Sequence, residues 1–267
     1  MAPKLHTSYV ATPVDKNGIA AYTTEENLVW QELINRQTPI IQSRACDEYL
    51  AGSKLLDLPT DRIPQCPEIS KVLQAATGWS LEPVAALIPS DYFFQLLANK
   101  KFPAATFIRR REEIDYLQEP DIFHEIFGHC PLLTNQALAD FTCEYGKLCL
   151  KANDAEREML ARLYWFTVEF GLINTKDGLR TYGGGILSSK TETPYCIDSP
   201  IPLRKPFDVI DVLRTPYLIY ILQPVYFVIN SFDELFNLTQ LDLIGLTHEA
   251  MQLGMHQPLY KPEDIKS

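Results

Sequence analysis

The residues best suited to chemistry lie together at positions 120–131, where the sequence reads PDIFHEIFGHCP. His124 and His129, two of the chain's five histidines, lie on either side of Glu125. Imidazole and carboxylate groups are common protein ligands of zinc and iron, so this segment is a candidate metal site. A histidine, a glutamate and a second histidine on one helix are also typical of zinc peptidases, which makes that class the first alternative.

The spacing of the two histidines argues against a zinc peptidase. Those enzymes place the histidines four positions apart, about 40° from each other around an α-helix. In this chain they are five positions apart, which on a regular α-helix separates them by about 140°. Both rings reach one metal only if the helix ends between them, and Gly128 and Pro131 are residue types that end helices. We therefore predict that His124 lies on the last helical turn and that His129 folds back towards it.

Glu169 is the candidate for a third ligand. It lies in the segment YWFTVEFG, whose aromatic residues predict burial, and a buried carboxylate is costly unless it is paired or binds a metal. Two histidines and one carboxylate form the ligand set of non-haem Fe(II) oxygenases, which leaves one face of the metal open. Each feature alone is more often an ordinary core or surface contact. Together they favour an iron-dependent oxygenase, because zinc cannot change its oxidation state to activate dioxygen.

The elements that must position these residues are predicted to be mainly α, with a minor β component. Thr23 and Glu26 form a capping box that begins the first helix. Further helices are predicted over residues 45–56, 68–77, 90–100, 136–152 and 154–170, the last capped by Asp154 and ended by Gly171. A strand is predicted within residues 217–229, and a capping box at Ser231 and Glu234 begins a final helix to about Met251.

Composition limits the remaining function classes. The 267 residues are 46% hydrophobic and carry a net charge of -10, so we expect one globular domain that phosphate backbones repel, and no nucleic-acid partner. No apolar run is long enough for a membrane span, and the N-terminus has no apolar secretory core. The six cysteines form no CxxC pair, which fits a cytoplasmic protein. We expect residues 1–20 to be loosely structured and residues 21–267 to form a single catalytic domain.

Several motifs occur in the order found in one enzyme family. They are ACDEYL from Ala45, IPQ from Ile63, TGWSLEPVA from Thr77, PDIFHEIFGHCPLL from Pro120, YWFTVEFG from Tyr164 and YGGGILSS from Tyr182. Over roughly residues 20–235 the chain resembles the pterin-dependent aromatic amino acid hydroxylases. It is most similar to the bacterial members, which resemble a catalytic domain alone, without the regulatory domain and tetramerisation helix of animal relatives.

The resemblance implies hydroxylation of L-phenylalanine to L-tyrosine with O2 and a tetrahydropterin, either tetrahydrobiopterin or a related pterin, at a non-haem Fe(II) site. The expected partners are therefore small molecules, and we expect a monomer or homodimer. Tyrosine or tryptophan hydroxylation on the same scaffold stays open as the nearest alternative. A zinc metallopeptidase and a non-catalytic interaction protein with structural histidines are the alternatives from other classes.

The resemblance also implies roles for individual residues at the metal and the pterin. His124, His129 and Glu169 would bind iron. Phe93 would stack on the pterin ring, Glu125 would contact the pterin directly or through water, and Tyr164 would line the same side. Backbone groups near Leu87 and Ile88 would hydrogen-bond the pterin edge. Pro103 departs from the family pattern, because animal members often have a histidine there.

On the substrate side, the resemblance implies that Arg109 pairs with the amino acid carboxylate, for which its forked guanidinium is suited. Asp121 would hold Arg109 in place. Trp165 and Ser188 would border the amino acid pocket. Leu117 replaces a polar residue expected near the substrate, so the details of this pocket transfer less directly than the iron ligands.

Overall fold

Helices form most of the regular structure in the computed structural model of the chain, which describes residues 9–117, 119–261 and 264. The α-helices among these residues are α1 (Thr24–Ile41), α2 (Asp47–Leu56), α3 (Cys66–Ala76), α4 (Ser90–Ala98), α5 (Cys130–Leu133), α6 (Gln136–Lys151), α7 (Asp154–Tyr164), α8 (Gly184–Leu187), α9 (Glu192–Asp198), α10 (Val209–Arg214), α11 (Phe232–Leu238) and α12 (Leu243–Leu253). Two π-helical segments, His124–His129 and Trp165–Glu169, and a 3-10 turn, Arg111–Glu113, complete the helical structure of this part of the chain.

The strands form two small sheets. Strands β1 (Ser80–Val84) and β2 (Lys101–Ala105) pair in parallel. The second sheet contains β3 (Leu172–Thr175), β4 (Gly178–Thr181), β5 (Leu203–Pro206) and β6 (Val225–Ile229) in the order β4-β3-β6-β5. Its β3–β4 pair is an antiparallel hairpin, and β6 pairs in parallel with both β3 and β5. The predicted fold class, mainly α with a minor β component, is confirmed.

One aromatic cluster of the core fixes the segment that carries the histidines. Phe123 and Phe127, which lie before and after His124 in the chain, stack with their ring centroids 4.9 Å apart. Trp30 of α1 packs edge-on against Phe123 at 5.6 Å. The hydroxyl of Tyr49, on α2, donates to the backbone carbonyl of Phe127. All four side chains are at most 2% exposed, so the segment is anchored to the core on several sides.

Most predicted helices form within a few residues of their expected bounds, and the capping box at Thr23 and Glu26 is present. The cap of α7 was predicted wrongly, because Asn153 rather than Asp154 accepts from the N–H of Glu156. The strand predicted within residues 217–229 forms only over Val225–Ile229. Residues 215–224 are irregular, since Pro216 and Pro224 lack the N–H that a sheet needs.

The C-terminal helix was also predicted wrongly. Ser231 precedes α11 but its side chain caps no N–H, so the capping box with Glu234 is absent. The helical region then divides into α11 and α12. Its second part begins because the carboxylate of Asp242 accepts from the N–H of Gly245, 3.0 Å away, as an N-cap residue does.

Residues 9–20 attach to the domain through a few backbone contacts. Val14 and Ala20 form an isolated antiparallel bridge, and the N–H of Thr12 donates to the carbonyl of Thr106 at 2.9 Å. Residues 1–8, for which we predicted loose structure, lie outside the described residues. In the part of the chain that is described, we find no helix both long and apolar enough to cross a bilayer.

Candidate metal centre and substrate cavity

His124 and His129 lie at the two ends of the first π-helical segment. A π-helix hydrogen-bonds from i to i+5 instead of i to i+4, so each turn holds more residues than an α-helix. Side chains five positions apart therefore lie on one face. The helix does not end between the histidines, as we had predicted from Gly128 and Pro131, but continues into α5. The widened turn, and not a helix break, brings the two rings together.

Glu169 lies at the end of the second π-helical segment, which continues α7. The N–H of Phe170 donates to the carbonyl of Trp165 at 2.8 Å, an i to i+5 bond. Phe170 then leaves helical conformation, and β3 begins at Leu172. Both candidate ligand segments are thus helices widened by one residue per turn, a rare conformation that is frequent at functional sites.

The three candidate ligands converge. The Nε2 atoms of His124 and His129 are 3.0 Å apart. The Glu169 carboxylate lies 3.7 Å from His124 Nε2 and 3.3 Å from His129 Nε2. All three ligand atoms lie within 4.8 Å of one another. This donor set fits a divalent transition metal such as iron, since two imidazole nitrogens and a carboxylate oxygen point at one position.

Ser188 determines the tautomer of His124. Its hydroxyl donates to the carbonyl of Gly184 at 2.9 Å, so it has no proton left to give to His124 Nδ1, which lies 2.9 Å away. Nδ1 must therefore carry the proton and donate it to Ser188. The lone pair is then on Nε2, which faces the candidate metal position, as metal-binding histidines require.

The charges of the site also suit a cation. Burial lowers the pKa of His124 to about 4, an effect that His129 strengthens and the Glu169 carboxylate opposes. Burial alone would raise the pKa of Glu169, but His129, His124 and the N–H of Gly185 together lower it to about 2. At neutral pH the site thus offers a neutral imidazole at His124 and an ionised carboxylate, the forms that bind metal.

Glycines allow α8 to approach the histidine segment closely. A methyl group added at Gly184 would lie 2.3 Å from Cε1 of His129. One added at Gly128 would lie 2.7 Å from the carbonyl oxygen of Gly184. Both distances are too short for any Cβ, so the contact between α8 and the first π-helical segment requires glycine on each side.

Arg109 and Asp121 form a buried pair. The carboxylate of Asp121 accepts from Arg109 Nε at 2.8 Å and from Nη2 at 2.9 Å. Burial would raise the pKa of Asp121, but the guanidinium, with the N–H groups of Arg109 and His124, holds it below its usual value. Nη1 of Arg109 bonds to none of the described side chains or backbone groups. Asp121, which is fully buried, holds the guanidinium in place.

A cavity of about 430 Å³ connects Arg109 with the candidate metal position. Its walls include Arg109, Leu117, His124, Trp165, Glu169, Phe170, Ser188, Glu192 and the segment 219–222. The residues predicted to bind substrate therefore surround one space, apart from Asp121, which lies behind Arg109. Trp165 stacks between Phe170 and Tyr217, with both centroid distances 4.4 Å.

The residues predicted to contact a pterin do not line this cavity. Phe93 and Tyr164 meet edge to face, with ring centroids 5.8 Å apart. Glu125 is 7% exposed and its carboxyl group accepts no hydrogen bond from the described residues. Burial, with the charges of Glu169 and Asp121, raises its pKa well above the usual range.

Leu87 and Ile88 lie in the irregular stretch between β1 and α4 and are half-buried. Within the described part of the chain, their backbone groups make no hydrogen bond, so they are available to a ligand. Pro103, the departure noted in the sequence, is buried in β2, where it pairs with Glu82 of β1.

Sequence reasoning missed two residues beside the cavity, Glu192 and Gln223. They are 5% and 1% exposed. Glu192 accepts from the hydroxyl of Tyr226 and from the N–H of Gln223. Burial raises its pKa to about 7, against the effect of these two donors. Their only sequence signal was a polar residue within an apolar stretch, as at Gln223 between Leu222 and Pro224.

Comparison with known proteins gives consistent matches over most of the chain. A family model described as biopterin-dependent aromatic amino acid hydroxylase matches residues 13–241. The phenylalanine-4-hydroxylase of Pseudomonas aeruginosa is 58% identical over 257 residues, which cover 96% of this chain and 98% of that protein.

Two solved structures are similar in fold as well as sequence. The apo structure of the cold-active phenylalanine hydroxylase from Colwellia psychrerythraea superposes with a TM-score of 0.94 at 53% identity, covering 97% of this chain and 100% of that one. The Chromobacterium violaceum phenylalanine hydroxylase with bound oxidised Fe(III) superposes with a TM-score of 0.86 at 43% identity, covering 94% of each chain.

Proposed function

This chain belongs to the biopterin-dependent aromatic amino acid hydroxylases, and from that premise we propose that it converts L-phenylalanine to L-tyrosine with O2 and a tetrahydropterin. The observation that carries the proposal is the convergence of His124, His129 and Glu169 beside a cavity whose other end holds Arg109. The names of its relatives support phenylalanine as the substrate. Iron fits the donor set and is bound in the C. violaceum structure.

We propose that His124, His129 and Glu169 hold the iron. When bound, iron supplies the redox chemistry with dioxygen, to which the tetrahydropterin contributes two electrons. The protein's own residues bind and orient the substrates, and they exclude water from the site. Ser188 keeps the Nδ1 proton of His124 in place, so that Nε2 stays directed at the metal. The glycines of α8 allow the close packing that fixes the ring of His129.

The substrate would lie in the cavity between Arg109 and the metal position. Arg109 would bind the amino acid carboxylate through Nη1, while Asp121 occupies its other edge. Trp165 and Ser188 would border the amino acid, with the aromatic ring of the substrate against the apolar part of the wall. Binding at both ends would direct the para carbon of the ring towards the iron, because the cavity runs between them.

The pterin would lie on the other side of the metal centre. Phe93 and Tyr164 provide aromatic surface for its ring, and the unpaired backbone groups of Leu87 and Ile88 suit its polar edge. Glu125, whose raised pKa favours the protonated form, would contact the pterin directly or through water. The protein needs no nucleic acid or membrane for this reaction. We propose a cytoplasmic monomer or homodimer in which residues 21–267 act as one catalytic domain.

One assay tests the proposal. Purified protein is incubated with Fe(II), tetrahydrobiopterin, O2 and phenylalanine, and tyrosine is measured by chromatography. We expect tyrosine only when iron, pterin and oxygen are all present. Parallel reactions with tyrosine and tryptophan as substrates test the other specificities of the scaffold. Equal hydroxylation of either one, or equal activity with zinc in place of iron, would contradict the proposal.

A further inference from the structure

One part of the cavity wall is formed by residues of an irregular segment, residues 218–222. Ile219 and Leu222 of this segment are 48% and 43% exposed. These two exposed side chains gain little from burial, so hydrogen bonds help to hold the segment in place.

The side-chain amide of Gln223 makes bonds of this kind. Its Nε2 donates to the carbonyls of Leu218 and Ile221, each at 2.9 Å, which closes the segment into a turn. Its Oε1 accepts from the indole N–H of Trp165 at 3.1 Å. Both donors and the acceptor of one buried amide are used, and they connect the turn to the second π-helical segment.

Gln223 is itself anchored. Its backbone N–H donates to the carboxylate of Glu192 at 3.0 Å, and the hydroxyl of Tyr226 in β6 donates to the same oxygen. Glu192 begins α9, close in the chain to Ser188. These bonds anchor the backbone of Gln223 to α9 and, through Tyr226, to β6.

Trp165 links this arrangement to the chemistry. Its ring is held between Phe170 and Tyr217 and lines the cavity. It is also the first residue of the π-helical segment that ends at Glu169. The hydrogen bond from Trp165 to Gln223 therefore connects the wall to the helical segment that carries Glu169.

We propose that Gln223 is a positioning residue. It fixes the wall 218–222 against Trp165 and thereby determines where the aromatic side chain of the substrate binds. The inference rests on the proposed hydroxylation of phenylalanine. Gln223 touches no reacting atom. Its contribution is to present one rigid wall to the amino acid, so that binding does not have to order the segment first.

The test is Gln223→Met, which keeps the length and volume of the side chain and removes every hydrogen bond of the amide. We expect the KM for phenylalanine to rise about tenfold, equivalent to about 1.4 kcal/mol, because the freed segment must be ordered on binding. The KM for tetrahydropterin should stay within about twofold, since the pterin side shares no residue with this wall. Tyrosine formed per pterin oxidised should fall, because a loose wall admits water.

A purely structural role would instead lower the melting temperature and the active fraction and leave both KM values unchanged. Gln252→Met, at an exposed position of α12, is the matched control and should behave like the unaltered chain. If Gln223→Met does not fold, Gln223→Asn carries the test, because its shorter amide cannot reach all three partners. Its phenylalanine KM should rise in the same direction by a smaller factor.

Two results would overturn the inference while leaving the proposed function intact. One is a phenylalanine KM within about twofold of the unaltered chain's in a folded Gln223 variant. The other is an equal rise in the KM values of phenylalanine and pterin. Absence of tyrosine with the unaltered chain would overturn the proposed function and this inference together.

Discussion

The metal end of the cavity and its outer wall, which is the segment 218–222, are held in place by different means. At the metal end, the candidate ligands project from two π-helical segments whose backbone bonds and buried aromatic residues fix them. At the outer wall, residues 218–222 have no regular structure, and the side chain of Gln223 bonds to the backbone of Leu218 and Ile221. Backbone geometry thus positions the ligands, whereas side-chain hydrogen bonds, those of Gln223 among them, help to position the wall.

Each region also contains a glutamate, and the two pKa values shift in opposite directions. Glu169, whose side chain is 17% exposed, faces two imidazoles, which lower its pKa. Glu192 faces a phenol and a backbone N–H, neither of which carries a charge, and burial raises its pKa. The first carboxylate is prepared to bind a cation and the second is not. Removing a ligand at the metal end should therefore abolish activity, whereas substitutions at the wall should have graded effects.

The largest effect is expected at the ligands themselves. His124→Ala or Glu169→Ala should reduce tyrosine formation at least about 1,000-fold, because oxygen chemistry cannot proceed without the metal. Each variant should lose iron, measured by elemental analysis after desalting, and keep its circular dichroism spectrum. Glu158→Ala, on the exposed face of α7 (side chain 76% exposed), is the matched control and should retain iron and activity. Full activity in either ligand variant would refute the ligand assignment.

The next effect is expected at Arg109, which lies at the far end of the cavity from the metal. Arg109→Ala should raise the KM for phenylalanine about 100-fold, since charge-assisted hydrogen bonds contribute about 1.5–3 kcal/mol. Because this change leaves Asp121 buried without its partner, the variant should also lose stability. Arg109→Lys keeps a positive charge beside Asp121 and separates the two effects.

We expect Arg109→Lys to be more stable than Arg109→Ala and still defective in binding phenylalanine, because an ammonium group cannot serve both carboxylates as a fork does. Arg110→Ala, one position along and exposed, is the control. An unchanged phenylalanine KM in the folded Lys and Ala variants would show that Arg109 is not the carboxylate partner. Iron content should be normal throughout, in contrast to the ligand variants.

A smaller effect on the metal end is expected from Gly184→Ala. The added methyl would lie 2.3 Å from Cε1 of His129, so the ring must move or α8 must shift. We expect the dissociation constant for Fe(II) to rise about tenfold, the size seen when residues that orient ligands are changed. Gly254→Ala, whose methyl would meet no atom within 4 Å, is the control for a glycine substitution and should bind iron normally. Equal iron affinity in both variants would mean that the approach of α8 does not position His129.

Much of the site could be predicted from the sequence. Capping residues and hydrophobic spacing identified most of the helices. The segment PDIFHEIFGHCP identified two candidate ligands, and the carboxylate in YWFTVEFG identified the third. The conformation between the histidines was predicted wrongly, because residue types do not distinguish a widened turn from a helix end. Gly128 permits both. The widened turn packs closely against α8, which lies 55 residues or more away in the chain and so is not part of any local pattern.

The outer wall was the less predictable region for a related reason. Residues 217–224 have the β-branched and aromatic composition of a strand, but only Val225–Ile229 enters the sheet. The side chain of Gln223 bonds locally to the preceding residues, and Gln223 is itself bonded to Glu192 and Trp165 from distant parts of the chain. A local pattern carries no information about such partners.

The smallest effect on turnover, and the sharpest test of the contrast between the two glutamates, is expected from Glu192→Gln. The raised pKa of Glu192, about 7 when folded, lies above the ordinary 4.5, so the folded state binds its proton more tightly. Its contribution to stability is full below pH 4.5 and is lost as the pH rises through 7, with a total of about 3 kcal/mol by linkage.

Glutamine keeps an oxygen for Tyr226 and for the N–H of Gln223 but does not ionise. The free energy of unfolding, measured by urea denaturation, should therefore decrease from pH 5 to pH 8. This decrease should be larger in the unaltered chain than in Glu192→Gln. If the free energies of unfolding of the two proteins differed by the same amount at pH 5 and pH 8, the ionisation of Glu192 would not affect stability. The contrast with Glu169 at the metal end would then be refuted.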